Sequence, residues 1–143
     1  MSFPARWSTA TGGSGDLTAA PVAGTTTGGT ALATQGIEVG TLSCLFTLLA
    51  ETNTITLTGK FQVSVDNSTW YNLAGDAQNP ANVAIGTGTA GADTAVNVVL
   101  PVPVAAMGWK YVRPAIVNGV ATGAAGDTYA MTFYFRKQSA FIA

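Results

Sequence analysis

The chain has no histidine and a single cysteine, Cys44, among 143 residues. Without histidine there is no Ser-His-Asp or Cys-His nucleophile pair and no imidazole metal site. One cysteine makes neither an internal disulfide framework nor a thiolate zinc site. Charge is equally scarce: six Lys and Arg against seven Asp and Glu leave a net charge of -1. Spread along the chain, that charge gives no footprint for nucleic acid or an anionic membrane, and neither is expected as a partner. No window supplies the roughly 18 unbroken apolar residues of a spanning helix. The most apolar stretch, Ala95 to Met107, is interrupted by Asn97, Pro101 and Pro103. The opening residues Met-Ser-Phe-Pro-Ala-Arg-Trp hold no apolar h-region. No secretory signal is therefore expected, and the expectation is synthesis in a cytoplasm, with which the single cysteine is consistent.

What is abundant is small: 24 Ala, 21 Thr and 17 Gly. These residues concentrate in residues 8–36, which are almost wholly Ser, Thr, Gly and Ala, with isolated Leu17, Val22 and Leu32. A segment so poor in apolar area cannot offset an ordering entropy of about 1–2 kcal/mol per residue by folding alone. The expected organisation is therefore an extended low-complexity arm over residues 1–36 and a body over residues 37–143. Phe3, Pro4 and Trp7 form an apolar tip on that arm. It either packs back on its own domain or anchors a neighbouring subunit.

From Ile37 onward the hydrophobic period is 2. In Thr54 to Asp66, one face collects Ile55, Leu57, Phe61, Val63 and Val65, with Gly59 among them, and the other collects Thr and Lys, Gln and Ser. Strict alternation predicts a long strand with one buried face, and Gly59 suggests a bulge or bend. Leu42 to Leu49 alternates likewise, and Glu51-Thr52-Asn53 suits a hairpin turn between the two. Further strands are expected at Val96 to Val102, at Lys110 to Val117 and at Tyr129 to Lys137. Pro101 and Pro103 push the first of these to a sheet edge or end it. Val104 to Met107 could form a single turn before Gly108, and no amphipathic helix is expected. Long connections such as residues 74–94 suit strands crossing between sheets. The expected class is all-β, an antiparallel sandwich, with a jelly roll preferred over an immunoglobulin-like topology.

Candidate chemistry is thin. Asp93 and Asp127 occupy similar Ala-Asp-Thr and Gly-Asp-Thr junctions, which a calcium ion could bridge if the loops met. Aspartate before threonine at a strand start more often closes an Asx turn. Of the remaining acids, Asp16 lies in the arm, Glu38 near a strand start and Glu51, Asp66 and Asp76 at turns, and nothing brings two of them into a cleft as glycoside hydrolysis requires. No catalytic residue, cofactor or metal is expected. The sequon Asn67-Ser68-Thr69 has no meaning without secretion. Trp70, Tyr71, Trp109 and Tyr111 could form a sugar platform, but strand aromatics are usually core, and Trp70 and Trp109 are expected there. Tyr71 and Tyr134 fall on the opposite parity from their apolar neighbours. Together with Phe3 and Trp7, they are the candidate partner-binding residues.

The segment Phe61-Gln62-Val63-Ser64-Val65-Asp66-Asn67-Ser68-Thr69-Trp70-Tyr71-Asn72-Leu73 resembles a hairpin of small phage structural proteins and discoidin-like sandwiches, in which a strand ends in a Ser-x-Asp-x-Ser-x-Trp turn. Gly108-Trp109-Lys110-Tyr111-Val112-Arg113-Pro114 is similar to their later strand, and Tyr129 to Lys137 to their last. Over about residues 37–137 the chain thus resembles a tailed-bacteriophage capsid decoration, or cement, protein. Discoidin-like domains are usually secreted and disulfide-bonded, which favours the virion comparison. The resemblance implies a major capsid protein as partner, a homo-oligomer with a trimer favoured, and a place on the capsid surface. A tail or fibre accessory domain and a carbohydrate-binding module are the alternatives.

Overall fold

Alternating β-branched and aromatic residues form strands wherever one face can be buried, and the strands follow the apolar parity closely. The computed structural model describes residues 6–16, 26–35, 37, 42–50, 55–73, 83–88, 94–118 and 126–137. The strands are β1 (Arg6–Asp16), β2 (Thr26–Gly28), β3 (Leu32–Ala33), β4 (Leu42–Ala50), β5 (Ile55–Ser64), β6 (Tyr71–Asn72), β7 (Val83–Gly88), β8 (Thr94–Pro101), β9 (Tyr111–Asn118) and β10 (Thr128–Lys137). The one helical element among the described residues is a 3-10 turn, Val104–Gly108. Its position agrees with the single turn expected there.

The strands form two antiparallel sheets. The first runs β1-β10-β4-β8; the second runs β2-β9-β5-β6, with β3 also on β9 and β7 also on β5. The two short strands β2 and β3 meet opposite ends of β9, and β6 and β7 meet opposite ends of β5. Counted by position, each sheet is therefore four strands wide. Pairing is nested: first with last (β1 with β10), then β2 and β3 with β9, β4 with β8, and β5 with β6 and β7. That is the pattern of a long hairpin rolled into a double sheet, a jelly roll. The all-β sandwich expected from the periodicity is the fold observed.

The core lies between the sheets. It takes Leu42, Cys44, Phe46 and Leu48 from β4, Leu57, Phe61 and Val63 from β5, Val112 and Ile116 from β9, and Met131 and Phe133 from β10. Phe61 links the two layers. Its ring stacks at 6.2 Å on Phe133 and meets Phe46 edge-on at 6.1 Å. The β5–β7 register slips between Leu57 and Thr58, where β7 carries the extra residue, Ile85. β5 itself keeps an unbroken register with β9 through Gly59, so the irregularity expected at the glycine falls on the partner strand. β8 is an edge strand and ends at Pro101, because proline cannot continue the ladder.

Three expectations need correction. Residues 6–16, 26–28 and 32–33 are not separate from the body but are strands of its two sheets. The entropy argument concerned a segment folding by itself; β1 instead gains a ladder to β10 from Arg6↔Lys137 to Asp16↔Thr128. Its small residues permit that approach. A Cβ on Gly12 would overlap the Met131 carbonyl, and one on Gly13 would lie 2.9 Å from the Gly29 Cα. Second, β4 and β5 are not a hairpin, since they lie in different sheets; turn composition serves a crossover as well as a hairpin. Third, Val65 is exposed, because β5 stops at Ser64 and the chain turns there.

Candidate functional site

The most ordered surface chemistry lies where β5 turns into β6. The Ser64 hydroxyl, fully buried, accepts from the N–H groups of Asp66 (3.2 Å) and Asn67 (3.0 Å) and donates to Asp66 Oδ1 (2.9 Å). Asp66 Oδ1 in turn accepts from the backbone N–H of Ser68 (2.9 Å) and Thr69 (2.8 Å). The Thr69 and Ser68 amides, with the Ser64 hydroxyl, hold the Asp66 carboxyl well below the usual carboxylate range. Asn67 takes φ 60°, a left-handed conformation that asparagine tolerates. The Ser-x-Asp-x-Ser-x-Trp pattern is therefore a self-capped turn. It delivers Trp70 to the outside of the sheet and Tyr71 and Asn72 back onto Val63 and Gln62.

From that turn a ladder of side chains crosses the outer face of the β2-β9-β5-β6 sheet. Gln62 Nε2 donates to Asn72 Oδ1 at 2.9 Å, and Arg113 Nε donates to Gln62 Oε1 at 2.9 Å. The Arg113 guanidinium lies 4.2 Å from the Trp70 ring centre. It also covers Gly28, where any Cβ would overlap it. Partial burial lowers the pKa values of Arg113 and of Lys60, whose register position is opposite Ala115. Trp70 is thus half-buried on the outer face rather than in the core, contrary to expectation. Sequence parity could not show this, because Trp70 sits in the turn before a two-residue strand.

Tyr71 is 52% exposed at the rim, its ring 5.9 Å from that of Trp109 and tilted by 38°. Trp109 is half-buried, packs against the core cluster, and has its carbonyl held by the Thr34 hydroxyl. Tyr134 is half-buried on β10, between Thr9 and Ser43 in register. That places it on the outer face of the other sheet, among Leu45, Thr47, Thr132 and the 62%-exposed Val99, a face without charged residues at these positions. Trp7 stands opposite Arg136 in the β1–β10 ladder. Phe3 and Pro4 lie outside the described residues. Tyr71 and Tyr134 are consequently on different sheets and form no common site.

Asp93 lies outside the described residues, whereas Asp127 is fully buried and already engaged. Among the described residues no group of three His, Cys, Asp or Glu could hold a metal ion, and no helix is long and apolar enough to cross a membrane. Cys44 is buried, and desolvation pushes its thiol pKa up. A shallow depression of about 340 Å3 is lined by Ser14, Gly15, Thr47, Thr128, Tyr129 and Ala130. Tyr129 is the one titratable group among the described residues that line it.

The rolled double sheet places the chain in the jelly-roll class of β-sandwiches. No protein-family profile matches it, and no curated protein matches it. Among solved structures it is similar to chains of infectious bursal disease virus. The crystal structure of the T13 particle of that virus matches with a TM-score of 0.51 and 14% identity, over 96% of this chain and 32% of that one. The Gx strain matches with a TM-score of 0.48 and 15% identity, over 94% of this chain and 33% of that one. This chain spans about a third of the length of the chains it matches. At such identity the likeness is one of fold.

Proposed function

We propose that the chain is a virion structural protein that binds the outside of a major capsid lattice and stabilises the shell. The observation that carries this reading is the jelly roll itself, shared with a chain of a solved icosahedral particle. Its outer faces agree with such a role. One is apolar and hydroxyl-rich without charge at its described central positions, and the other carries a fixed aromatic and polar ladder. Such surfaces associate through shape and hydrogen bonds more than through ion pairs. Burial at about 25 cal/mol per Å2 of apolar area, repeated over a lattice, adds up to substantial shell stabilisation. The role is physical rather than catalytic, and a homo-oligomer, with a trimer favoured, suits the symmetry of a shell.

The test is cosedimentation of the purified chain with purified capsid shells that lack it. Saturable binding and a raised shell melting temperature are expected. Absence of binding to shells of every expansion state overturns the proposal. The exposed Tyr71 beside Trp109 favours a second reading, a carbohydrate-binding module. A glycan array that shows selective binding, lost in Tyr71→Ala, would support that reading instead.

A further inference from the structure

The outer face of the β2-β9-β5-β6 sheet holds a cation whose place is fixed and whose outer donors are unspent among the described residues. A guanidinium has five N–H donors. Arg113 uses Nε on Gln62, and no acceptor among the described residues takes those on its two terminal nitrogens. The group cannot wander freely. Trp70 lies against it, Gly28 lies beneath it with no room for even a methyl, and Gln62 is itself held by Asn72. Lys60 shares this face, one outward position along β5 from Gln62. Gln62 and Asn72 spend their amides on positioning, which leaves recognition to the cations.

We propose that this face binds a carboxylate presented by an acidic side chain of a partner protein. The terminal nitrogens of Arg113 supply the paired donors, and Lys60 supplies a second positive charge. A pre-organised fork loses little side-chain entropy on pairing, and its two parallel N–H groups match the two oxygens of a carboxylate. A phosphate polymer fits less well. Its grip depends on many cations acting together, whereas the described residues of this face offer Arg113, Lys60 and, over the Tyr111 ring, Lys110, and the adjoining turn carries the carboxylate of Asp66. The inference rests on the proposed function only for the identity of the partner. A free-peptide titration tests the site, and shell binding tests that function, so either can fail alone.

The experiment is a nuclear magnetic resonance titration of the full chain with a capped tetraglutamate peptide at low salt. The Trp70 indole N–H and the Arg113 Nε–H are followed, with sodium chloride and a four-nucleotide oligothymidylate as comparison titrants. Saturable shifts of both signals are expected with the peptide, beyond those caused by chloride. Arg113→Lys keeps the charge but loses the fork and should weaken binding about tenfold, or 1.4 kcal/mol. Lys60→Met should weaken it by a smaller factor while leaving the fold intact, and it keeps the test decisive if Arg113→Lys does not fold. Three results overturn the proposal: no saturable shift in the unmodified chain, binding unchanged in both variants, or tighter binding of the oligonucleotide than of the peptide.

Discussion

The guanidinium carbon of Arg113 sits 4.2 Å from the ring centre of Trp70. This contact ties the β5–β6 turn to β9, two segments far apart in sequence. The turn is closed by its own Ser64 and Asp66, and Arg113 is held by Gln62 from the facing register position. A cation over an indole is worth about 0.5–1 kcal/mol at an exposed site, so its contribution is mainly to position the two groups.

Phe133 is fully buried and stacks on Phe61 at 6.2 Å, while Phe46 meets Phe61 edge-on. Phe133→Ala therefore opens a cavity at the junction of both sheets. The expected cost is about 3–5 kcal/mol, read as a shift of the denaturant midpoint at unchanged slope. A loss below about 1 kcal/mol would contradict the placement.

The β1–β10 contact predicts a consequence for the glycine-rich segment. In Gly12→Ala the new methyl would strike the Met131 carbonyl, a backbone atom that cannot swing aside. The expected cost is about 1–3 kcal/mol, with faster amide exchange along β1 and β10. Deletion of residues 2–36 removes β1, β2 and β3 and should lower the melting temperature markedly. A passive arm would leave it unchanged.

Asp66 predicts an acid-labile turn. Its folded pKa is depressed, so its contribution is present above the unfolded value of about 4 and is lost as pH falls below it. Thermal unfolding scans should show declining stability across that acid range. Asp66→Asn should flatten the decline, because the amide does not titrate. An unaltered acid limb in Asp66→Asn would show that other carboxyls cause it.

Cys44 faces the core, and desolvation disfavours its thiolate. A thiol reagent at mildly alkaline pH should leave it unmodified in the folded chain and should react with it fully in denaturant. Rapid reaction in the native state would place β4 outside the core.

The elements legible in the sequence are those with side-chain contrast. Leu42 to Leu48, Leu57 to Val63 and Met131 to Phe133 alternate large apolar with polar residues, so face and strand follow directly. β1 and β7 have no such contrast. Ser-Thr-Ala-Thr-Gly-Gly-Ser and Ala-Ile-Gly-Thr-Gly become strands through partner ladders that local pattern does not encode. The same holds at the surface. The Ser64–Trp70 turn was visible as a motif, yet Arg113 reaches it only because Gln62 and Arg113 share a register pair across β5 and β9. Tyr71 and Tyr134 were separable by parity but not assignable to sheets, since the nesting of β10 against both β1 and β4 is a property of the whole roll.

The central claim, a structural role on a capsid shell, is tested most directly by counting copies in the particle. Virions are purified on gradients from the source that encodes this chain, and the chain is quantified by mass spectrometry against the major capsid protein. The account predicts a fixed stoichiometric ratio to the major capsid protein, retained through salt washing. Absence from purified virions, or a trace amount that varies between preparations, would contradict it.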